Sequence, residues 1–306
     1  MAPLSISRRP VPERLLLRLE WRVVRRLDGR LAGGYRTARR GAGTDLAGLR
    51  EYVEGDDARH IDWNATARLD QAQLRLFNED RELTVWLVLD RSASMLVGAP
   101  GRGKHDVLTE LALVLGRLFA KGGNRVGALL YDNGAVRAVP PGTGRAHVLR
   151  IGAELARDRV RVSSAPKYTG TTDLAAMLDA VARLARRRAL IIVISDFIGD
   201  GAWEHSLRRL APRHEVAVLR VTDTADDELP DAGLVVVEDA ETGEQLLIDT
   251  GDPLLRARLR AEVEDRDASL EAGMRRAGVP VHRIPTTADL ATALIDVIVS
   301  TKRRRG

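Results

Sequence analysis

Short, almost wholly apolar runs alternate along this chain with longer segments in which apolar residues recur every three or four positions. Such runs are typical of strands buried on both faces of a parallel sheet, and the helical periodicity between them indicates βαβ units. We predict strands at 83–89, 125–131, 134–139, 189–194, 215–221 and 279–284. Helices are predicted near 104–120, 144–159, 172–188, 202–211, 252–277 and 286–300.

This alternation predicts an α/β fold with a doubly wound, mostly parallel, Rossmann-like sheet. Strands 125–131 and 134–139 are separated by Asp132 and Asn133, a pair typical of a tight hairpin turn, so one edge strand should be antiparallel. A second hairpin is predicted near 233–249, where two apolar runs flank a short polar stretch, and we expect it to be an insertion.

The chain is expected to divide into an N-terminal region at 1–80, an α/β domain at 81–301 and a basic tail at 302–306. Apolar residues at helical spacing predict a helix over 12–27, whereas glycine and arginine dominate 28–44 and favour a loop. Charge-dense residues at 46–80 predict short extended pieces. The segment from Arg50 to Asp62 either forms ion pairs that fix the N-terminal region or provides a partner surface, and the first interpretation is favoured.

Composition narrows the class of protein. The 306 residues are 44% hydrophobic and 30% charged, which is typical of a globular chain. The formal charge is only +5, and the aromatic residues, 4% of the chain, do not interleave with the basic clusters, so we expect no nucleic-acid partner. Only four of the 48 basic residues are lysines, which we interpret as a compositional bias towards arginine.

The chain has no cysteine, which excludes disulfides, thiolate nucleophiles and zinc–thiolate sites. No run approaches the roughly 20 apolar residues of a membrane-spanning helix, and the N-terminus lacks the apolar core of a signal peptide. We therefore expect no membrane span and a cytoplasmic protein.

Oxygen-bearing side chains follow two of the predicted buried strands and precede one predicted helix. They are Asp90, Ser92, Ser94, Thr172 and Asp196. The carboxyl ends of neighbouring parallel strands meet at one edge of a sheet, which is where open α/β sheets place their ligand sites. Carboxylates and hydroxyls without a soft donor suit a hard cation, so we predict a site for Mg²⁺ or Mn²⁺. The structural alternative is that the hydroxyls cap turns and the acids form salt bridges.

This pattern resembles the metal-ion-dependent adhesion site of the von Willebrand factor type A (vWA) domain, which consists of Asp-x-Ser-x-Ser, a distant Thr and a distant Asp. All five positions are present here. The resemblance implies that Ser92, Ser94 and Thr172 coordinate the metal directly or through water, while Asp90 and Asp196 act largely through water. It also implies that an Asp or Glu carboxylate from a protein ligand fills an open position on the ion.

The charged segment upstream extends the resemblance to a bacterial family of unknown function, DUF58. Its matching pieces include Arg50-Glu51-Tyr52, Gly55-Asp56-Asp57, Ile61-Asp62-Trp63 and Glu79-Asp80-Arg81-Glu82. The resemblance implies partnership with a MoxR-type AAA+ ATPase, with this chain as an adaptor or client-recognition arm. Many members carry transmembrane helices before this segment, so this sequence resembles a soluble variant. On this interpretation the protein is a metal-dependent interaction module and not an enzyme.

Two alternatives belong to other functional classes. Residues 98–105 match a phosphate-binding P-loop except that His105 replaces the Ser or Thr that holds Mg²⁺, and Gly98 stands nine positions after Leu89, the last residue of the strand before it. A metal-dependent hydrolase needs a general base beside the ion, and none of the three motif loops contains a histidine. The spare carboxylate, Asp173, is explained by its position at a helix start.

Overall fold

The computed structural model describes residues 40–53, 56–78, 83–98, 101–132, 135–162, 172–199, 202–227, 231–238, 244–294 and 297. These residues divide into two compact units, one within Arg26–Glu82 and one from Leu83 onward. The predicted helix at 12–27 and the basic tail at 302–306 lie outside the described residues.

The smaller unit is built on an antiparallel pair of strands, β1 (Arg40–Glu51) and β2 (Gln73–Asn78). A 3-10 turn (Ala58–His60) and a helix, α1 (Trp63–Leu69), lie between them. The loop predicted at 28–44 was therefore wrong for residues 40–44, which belong to β1. Its pairing with β2 is a contact that the local sequence does not reveal. The extended structure predicted at 46–80 was also wrong for the residues of α1.

Helix α1 forms because its first turn is capped. The Asp62 carboxylate accepts hydrogen bonds from the backbone N–H groups of Asn64 and Ala65, each at 3.0 Å, which satisfies two donors that the helix leaves free. Arg50 pairs with Asp56 at 2.5 Å within the same unit. At least this ion pair of the charged segment is therefore local.

The larger unit contains a six-stranded sheet. Its strands are β3 (Thr84–Asp90), β4 (Arg125–Asp132), β5 (Ala135–Gly142), β6 (Leu190–Ser195), β7 (Glu215–Thr222) and β10 (Val281–Pro285). Their order across the sheet is β10-β7-β6-β3-β4-β5, and all neighbours are parallel except β4 and β5. This confirms the predicted fold class, including the antiparallel edge strand and all six strands.

Helices connect the strands and cover both faces of the sheet. They are α2 (Lys104–Lys121), α3 (Gly144–Val162), α4 (Leu174–Leu184), α5 (Trp203–Leu210), α6 (Thr224–Asp227) and α7 (Pro253–Ala277). On β3, Trp86 and Val88 belong to a core cluster with residues of α4, α5 and α7, whereas Leu87 lies on the side of α2. None of the described helices has the length and apolar composition that a bilayer crossing requires.

Two of the predicted helices differ in extent from the observed ones. Helix α4 is shorter than predicted because the Asp173 carboxylate caps it by accepting the backbone N–H of Ala176 at 2.8 Å, and it ends at Leu184. Of the helix predicted at 286–300, residues 290–294 and 297 are helical and residues 286–289 are not, whereas 295, 296 and 298–300 lie outside the described residues.

The second predicted hairpin is present as β8 (Leu234–Glu238) and β9 (Gln245–Asp249), which pair antiparallel as a separate two-stranded sheet. Its apolar side chains are largely exposed, with 70% of Leu234 and 64% of Leu247 accessible to solvent. The hairpin therefore contributes little to the core.

Candidate metal centre

The turn after β3 brings three of the predicted ligands into one short stretch. The backbone N–H of Ser92 donates to Asp90 Oδ1 at 3.0 Å, which folds the chain back on itself directly after the strand. The hydroxyl oxygens of Ser92 and Ser94 lie 3.0 Å apart. Asp90 and Ser92 are fully buried, and Ser94 retains 7% of its surface exposed. One carboxylate and two hydroxyls are thus concentrated at the carboxyl end of a central strand.

The neighbouring strand β6 places Asp196 at the same edge of the sheet. Leu89 and Ile194 are paired in the parallel register, so the ends of β3 and β6 coincide. The Ser195 hydroxyl donates to Asp90 Oδ2 at 2.5 Å and joins the two strand ends directly. The backbone N–H of Ile198 donates to Asp196 Oδ1 at 3.1 Å. Both carboxylates are therefore held by main-chain or hydroxyl donors.

The fifth predicted ligand, Thr172, is fully buried directly before α4. Its carbonyl oxygen packs against the loop that follows Asp196, because a Cβ atom at Gly199 would lie only 2.5 Å from that oxygen. Gly199 also has a φ of +152°, which side chains disfavour. A glycine at this position thus allows the Thr172 segment and the Asp196 loop to meet.

Replacement of Gly199 by alanine should separate these two segments. We expect a loss of about 1–3 kcal/mol in the free energy of unfolding, because the backbone is strained and the Thr172 carbonyl must move. We also expect a weaker stabilisation by Mg²⁺, measured as the shift in melting temperature. Gly123→Ala is the control, since Gly123 has a φ of +79° with open space around its Cβ position. An unchanged Mg²⁺ response in Gly199→Ala would contradict this role.

Lys104 contributes to the site in a way that the sequence pattern did not predict. It is the first residue of α2, and its ammonium lies 2.9 Å from Asp196 Oδ2 and 2.8 Å from Asp226 Oδ1. Its side chain has no exposed surface. Ser195 and Asp226 were missed as well.

The buried charges at this edge do not balance. Burial raises the pKa of Asp90 to about 6, and the nearby negative charge of Asp196 adds to the effect. Burial also raises the pKa of Asp226, against the opposing influence of Lys104. Burial alone would lower the pKa of Lys104, but the two carboxylates outweigh it and the pKa is raised. Among the described residues, the Lys104 ammonium therefore contacts two of these three carboxylates, and Asp90 contacts no cation.

A hard divalent cation fits this arrangement. The nearby guanidinium of Arg220 contacts the main-chain oxygen of Asp196 at 3.2 Å but pairs with Asp267 at 2.6 Å, so its charge is directed elsewhere. Within the described residues, no three His, Asp or Glu side chains are arranged to hold a metal, so an ion here would depend on the hydroxyls. Hydroxyl and carboxylate oxygens with excess negative charge are the surroundings that Mg²⁺ and Mn²⁺ prefer.

The geometry disfavours the phosphate-binding alternative. In a phosphate-binding loop the lysine contacts phosphate, but the Lys104 ammonium is bonded to two carboxylates that would repel one. For a hydrolase, Asp173 was the spare carboxylate, and its Oδ1 is used to cap α4.

Several solved structures are similar to this chain at low identity. An aerotolerance-related membrane protein from Bacteroides fragilis has a TM-score of 0.41 and 16% identity over 71% of this chain and 97% of that one. BatB from Bacteroides thetaiotaomicron has a TM-score of 0.38 and 15% identity over 72% and 99%. The VWA domain of SpRpn10 has a TM-score of 0.36 and 13% identity over 70% and 94%. Likeness at this level identifies no function.

Sequence relatives are closer. The uncharacterized protein Rv1480 of Mycobacterium tuberculosis is 37% identical over 291 residues, which span 94% of this chain and 88% of that protein. The uncharacterized protein Mb1516 of Mycobacterium bovis matches to the same extent. The profile of the family described as "Protein of unknown function DUF58" matches residues 48–269. Because this match covers more than half of the sequence, the chain belongs to the DUF58 family, as its motifs predict.

Proposed function

We propose that this protein is a metal-dependent protein-interaction module that binds an acidic side chain of its partner. The proposed ligands of Mg²⁺ or Mn²⁺ are Asp90, Ser92, Ser94, Thr172 and Asp196. The observation that carries the proposal is the pair of buried serine hydroxyls, 3.0 Å apart, next to the carboxylate of Asp90. With Asp196 and Asp226 this makes three carboxylates near one ammonium, that of Lys104. The proposed activity is binding, and the module is not an enzyme.

The hydroxyls and the carboxylates have different roles in this proposal. Ser92, Ser94 and Thr172 supply neutral oxygens to the ion, directly or through water. Both oxygens of Asp90 already accept hydrogen bonds, from the Ser92 backbone and from the Ser195 hydroxyl, so this carboxylate orients the turn and acts on the ion largely through water. When bound, the ion supplies a positive charge that neutral ligands leave largely unquenched, and a partner carboxylate binds to it.

The partner should approach on the Ser94 side. Ser94 is the proposed ligand with the most exposed surface, and it begins the 3-10 turn Ser94–Leu96. The next apolar side chains, Leu96 and Val97, are 44% and 48% exposed. A polar centre beside exposed apolar side chains is the composition expected of a protein contact.

The partner that we propose is a MoxR-type AAA+ ATPase, for which this chain serves as an adaptor or client-recognition arm in the cytoplasm. Membership of DUF58 supports this choice through the resemblance drawn from the sequence. The chemistry requires that the partner, or the client that it delivers, present an Asp or Glu carboxylate.

The test is retention of the cognate ATPase on the immobilised full chain, in Mg²⁺ and in chelator. We expect binding in Mg²⁺ that chelator abolishes. The double variant Ser92→Ala/Ser94→Ala should weaken metal binding by about 10–100-fold and remove the metal-dependent retention. Ser206→Ala is the matched control, because Ser206 is also a buried serine but lies on α5. Equal retention in Mg²⁺ and chelator would refute the proposal.

A second variant separates the metal from the contact surface. Leu96→Ser/Val97→Ser leaves all five proposed ligands in place. We expect calorimetry to show unchanged Mg²⁺ affinity together with weaker ATPase retention. Loss of metal affinity in this variant would mean that the two side chains stabilise the turn and do not contact the partner.

A further inference from the structure

A pocket lies at the edge of the six-stranded sheet opposite the candidate metal centre. Its volume is about 350 Å³, and it is walled by the segment between α4 and β6 and by the segment between α5 and β7. Strands β6 and β7 begin here, whereas four of the five proposed metal ligands lie at or directly after the ends of β3 and β6. The pocket is therefore separate from the candidate metal centre.

The lining of this pocket is strongly basic. Four arginines, one histidine and two alanines line it. The basic residues are Arg186, Arg187, Arg188, Arg213 and His214. No carboxylate lines it. In the part of the chain that the structure describes, none of the four guanidinium groups forms an ion pair or a side-chain hydrogen bond. This contrasts with the Arg276 guanidinium, which pairs with Glu204 at 2.8 Å.

The histidine supplies an independent observation. His214 is only 6% exposed, yet its Nδ1 atom is buried without a hydrogen-bond partner among the described residues. A buried polar atom left without a partner costs about 1–3 kcal/mol, so such an atom is usually satisfied by a ligand or by ordered water. Burial lowers the pKa of His214, and the charges of Arg213 and Arg188 lower it further. The neutral form of the imidazole is therefore favoured, with a nitrogen available for hydrogen bonding.

Helix ends explain only part of this arrangement. The C-terminal ends of α4 and α5 attract cations, which accounts for basic residues in the segments that follow them. It does not account for four guanidinium groups that share one pocket with an unsatisfied buried nitrogen. Guanidinium is well suited to phosphate, because its planar fork donates two parallel hydrogen bonds to the phosphate oxygens.

We infer that this pocket binds a small anion that carries more than one phosphate group, with the arginines pairing its charges and His214 bonding one of its oxygens. A volume of about 350 Å³ lies at the lower end of small-molecule sites, which suits such an anion. No Phe, Tyr or Trp side chain lines the pocket, so it lacks the large aromatic platform on which nucleobases usually stack. The phosphates, and not a base, should determine binding.

The test is calorimetric titration of the full chain with inorganic pyrophosphate at 0.15 M salt. Arg188→Gln/Arg213→Gln should weaken binding at least tenfold, because two of the four charges are lost. The control Arg208→Gln/Arg209→Gln removes the same charge from two arginines of α5 that are exposed like those of the pocket but do not line it, and we expect no change in affinity. Absence of binding by the wild type, or equal weakening in both double variants, would overturn the inference.

Two further measurements define the ligand and the histidine. Tripolyphosphate and ATP should bind with similar affinity if the phosphates alone are recognised, and tighter binding of ATP would show that a base is also bound. His214→Asn keeps a polar atom near the position of Nδ1 and should retain binding, whereas His214→Leu should weaken it. If both variants bind equally well, His214 has no part in the site. Pyrophosphate binding should also survive in Asp90→Asn, so failure of the metal proposal leaves this one testable.

Discussion

Replacing Asp90 with asparagine should make the metal-free protein more stable and abolish its response to divalent cations. The carboxylate is fully buried and faces the negative charge of Asp196, so its ionised form is disfavoured in the folded chain. Asparagine retains the shape: its Oδ1 can still accept the backbone N–H of Ser92, while its Nδ2 would donate to the Ser195 hydroxyl oxygen and so reverse that hydrogen bond. A pKa of about 6, against an ordinary value of 3.8, corresponds to a gain of about 2–3 kcal/mol at neutral pH.

The measurement is urea unfolding in chelator and again in millimolar Mg²⁺. Wild type should gain stability from Mg²⁺, whereas Asp90→Asn should gain none, because the buried charge excess that favours the ion has decreased. Asp179→Asn, the same change on α4, should leave the Mg²⁺ response unchanged. If Asp90→Asn instead destabilises the metal-free chain by several kcal/mol, the carboxylate is needed for the fold and the electrostatic account is wrong.

The stability difference should also depend on pH. Since the pKa of Asp90 is higher in the folded chain than in the unfolded one, the folded chain binds this proton more tightly. The wild type therefore loses stability relative to the variant as pH rises from about 4 to about 6, and the difference is constant above that range. A difference that does not change between pH 4 and pH 7 would show that Asp90 is not the group responsible.

Replacing Lys104 with methionine should have the opposite effect and make the metal-free protein less stable. Its ammonium is the cation that contacts both Asp196 and Asp226, and removing one member of a buried ion pair costs about 3–5 kcal/mol. We expect the free energy of unfolding in chelator to fall by this amount. The loss should be smaller in Mg²⁺, because a divalent ion restores positive charge next to Asp196.

Lys121→Met is the matched control, since Lys121 ends the same helix and is exposed. It should change stability by a few tenths of a kcal/mol and leave the Mg²⁺ response unaltered. Similar stabilities for the two variants would show that the pairing of Lys104 with the acids contributes little to the fold. An equal loss in chelator and in Mg²⁺ would show that the lysine and the ion do not share Asp196.

The central strands of the larger unit were well predicted from the sequence because they are buried on both faces. Residues 85–89 of β3 and 190–194 of β6 are apolar without interruption, and such runs leave no alternative face to solvent. The end of each run then indicated where Asp90 and Asp196 would meet, because neighbouring parallel strands end at one edge. Predicting the strands and the meeting of these two acids requires only the local hydrophobic pattern and the sheet topology.

The remaining features depend on contacts between distant parts of the chain. Lys104 reaches Asp226 across 122 positions of sequence, and no periodicity reports such a pair. Ser195 was overlooked because an isolated hydroxyl at a strand end is usually a cap, and its bond to Asp90 exists only once β3 and β6 are adjacent. Helix α1 was missed because seven residues are too few to show a helical period above a dense pattern of charge.

Diffraction from a crystal of the full chain grown with Mn²⁺ tests the central claim most directly, since the anomalous signal locates the ion independently of any assumed ligand. We predict one strong peak at the carboxyl edge of the sheet, in contact with the hydroxyl oxygens of Ser92 and Ser94 and close to Asp90 and Asp196. Absence of manganese from this edge at saturating concentration, with the turn folded as described, would contradict the account.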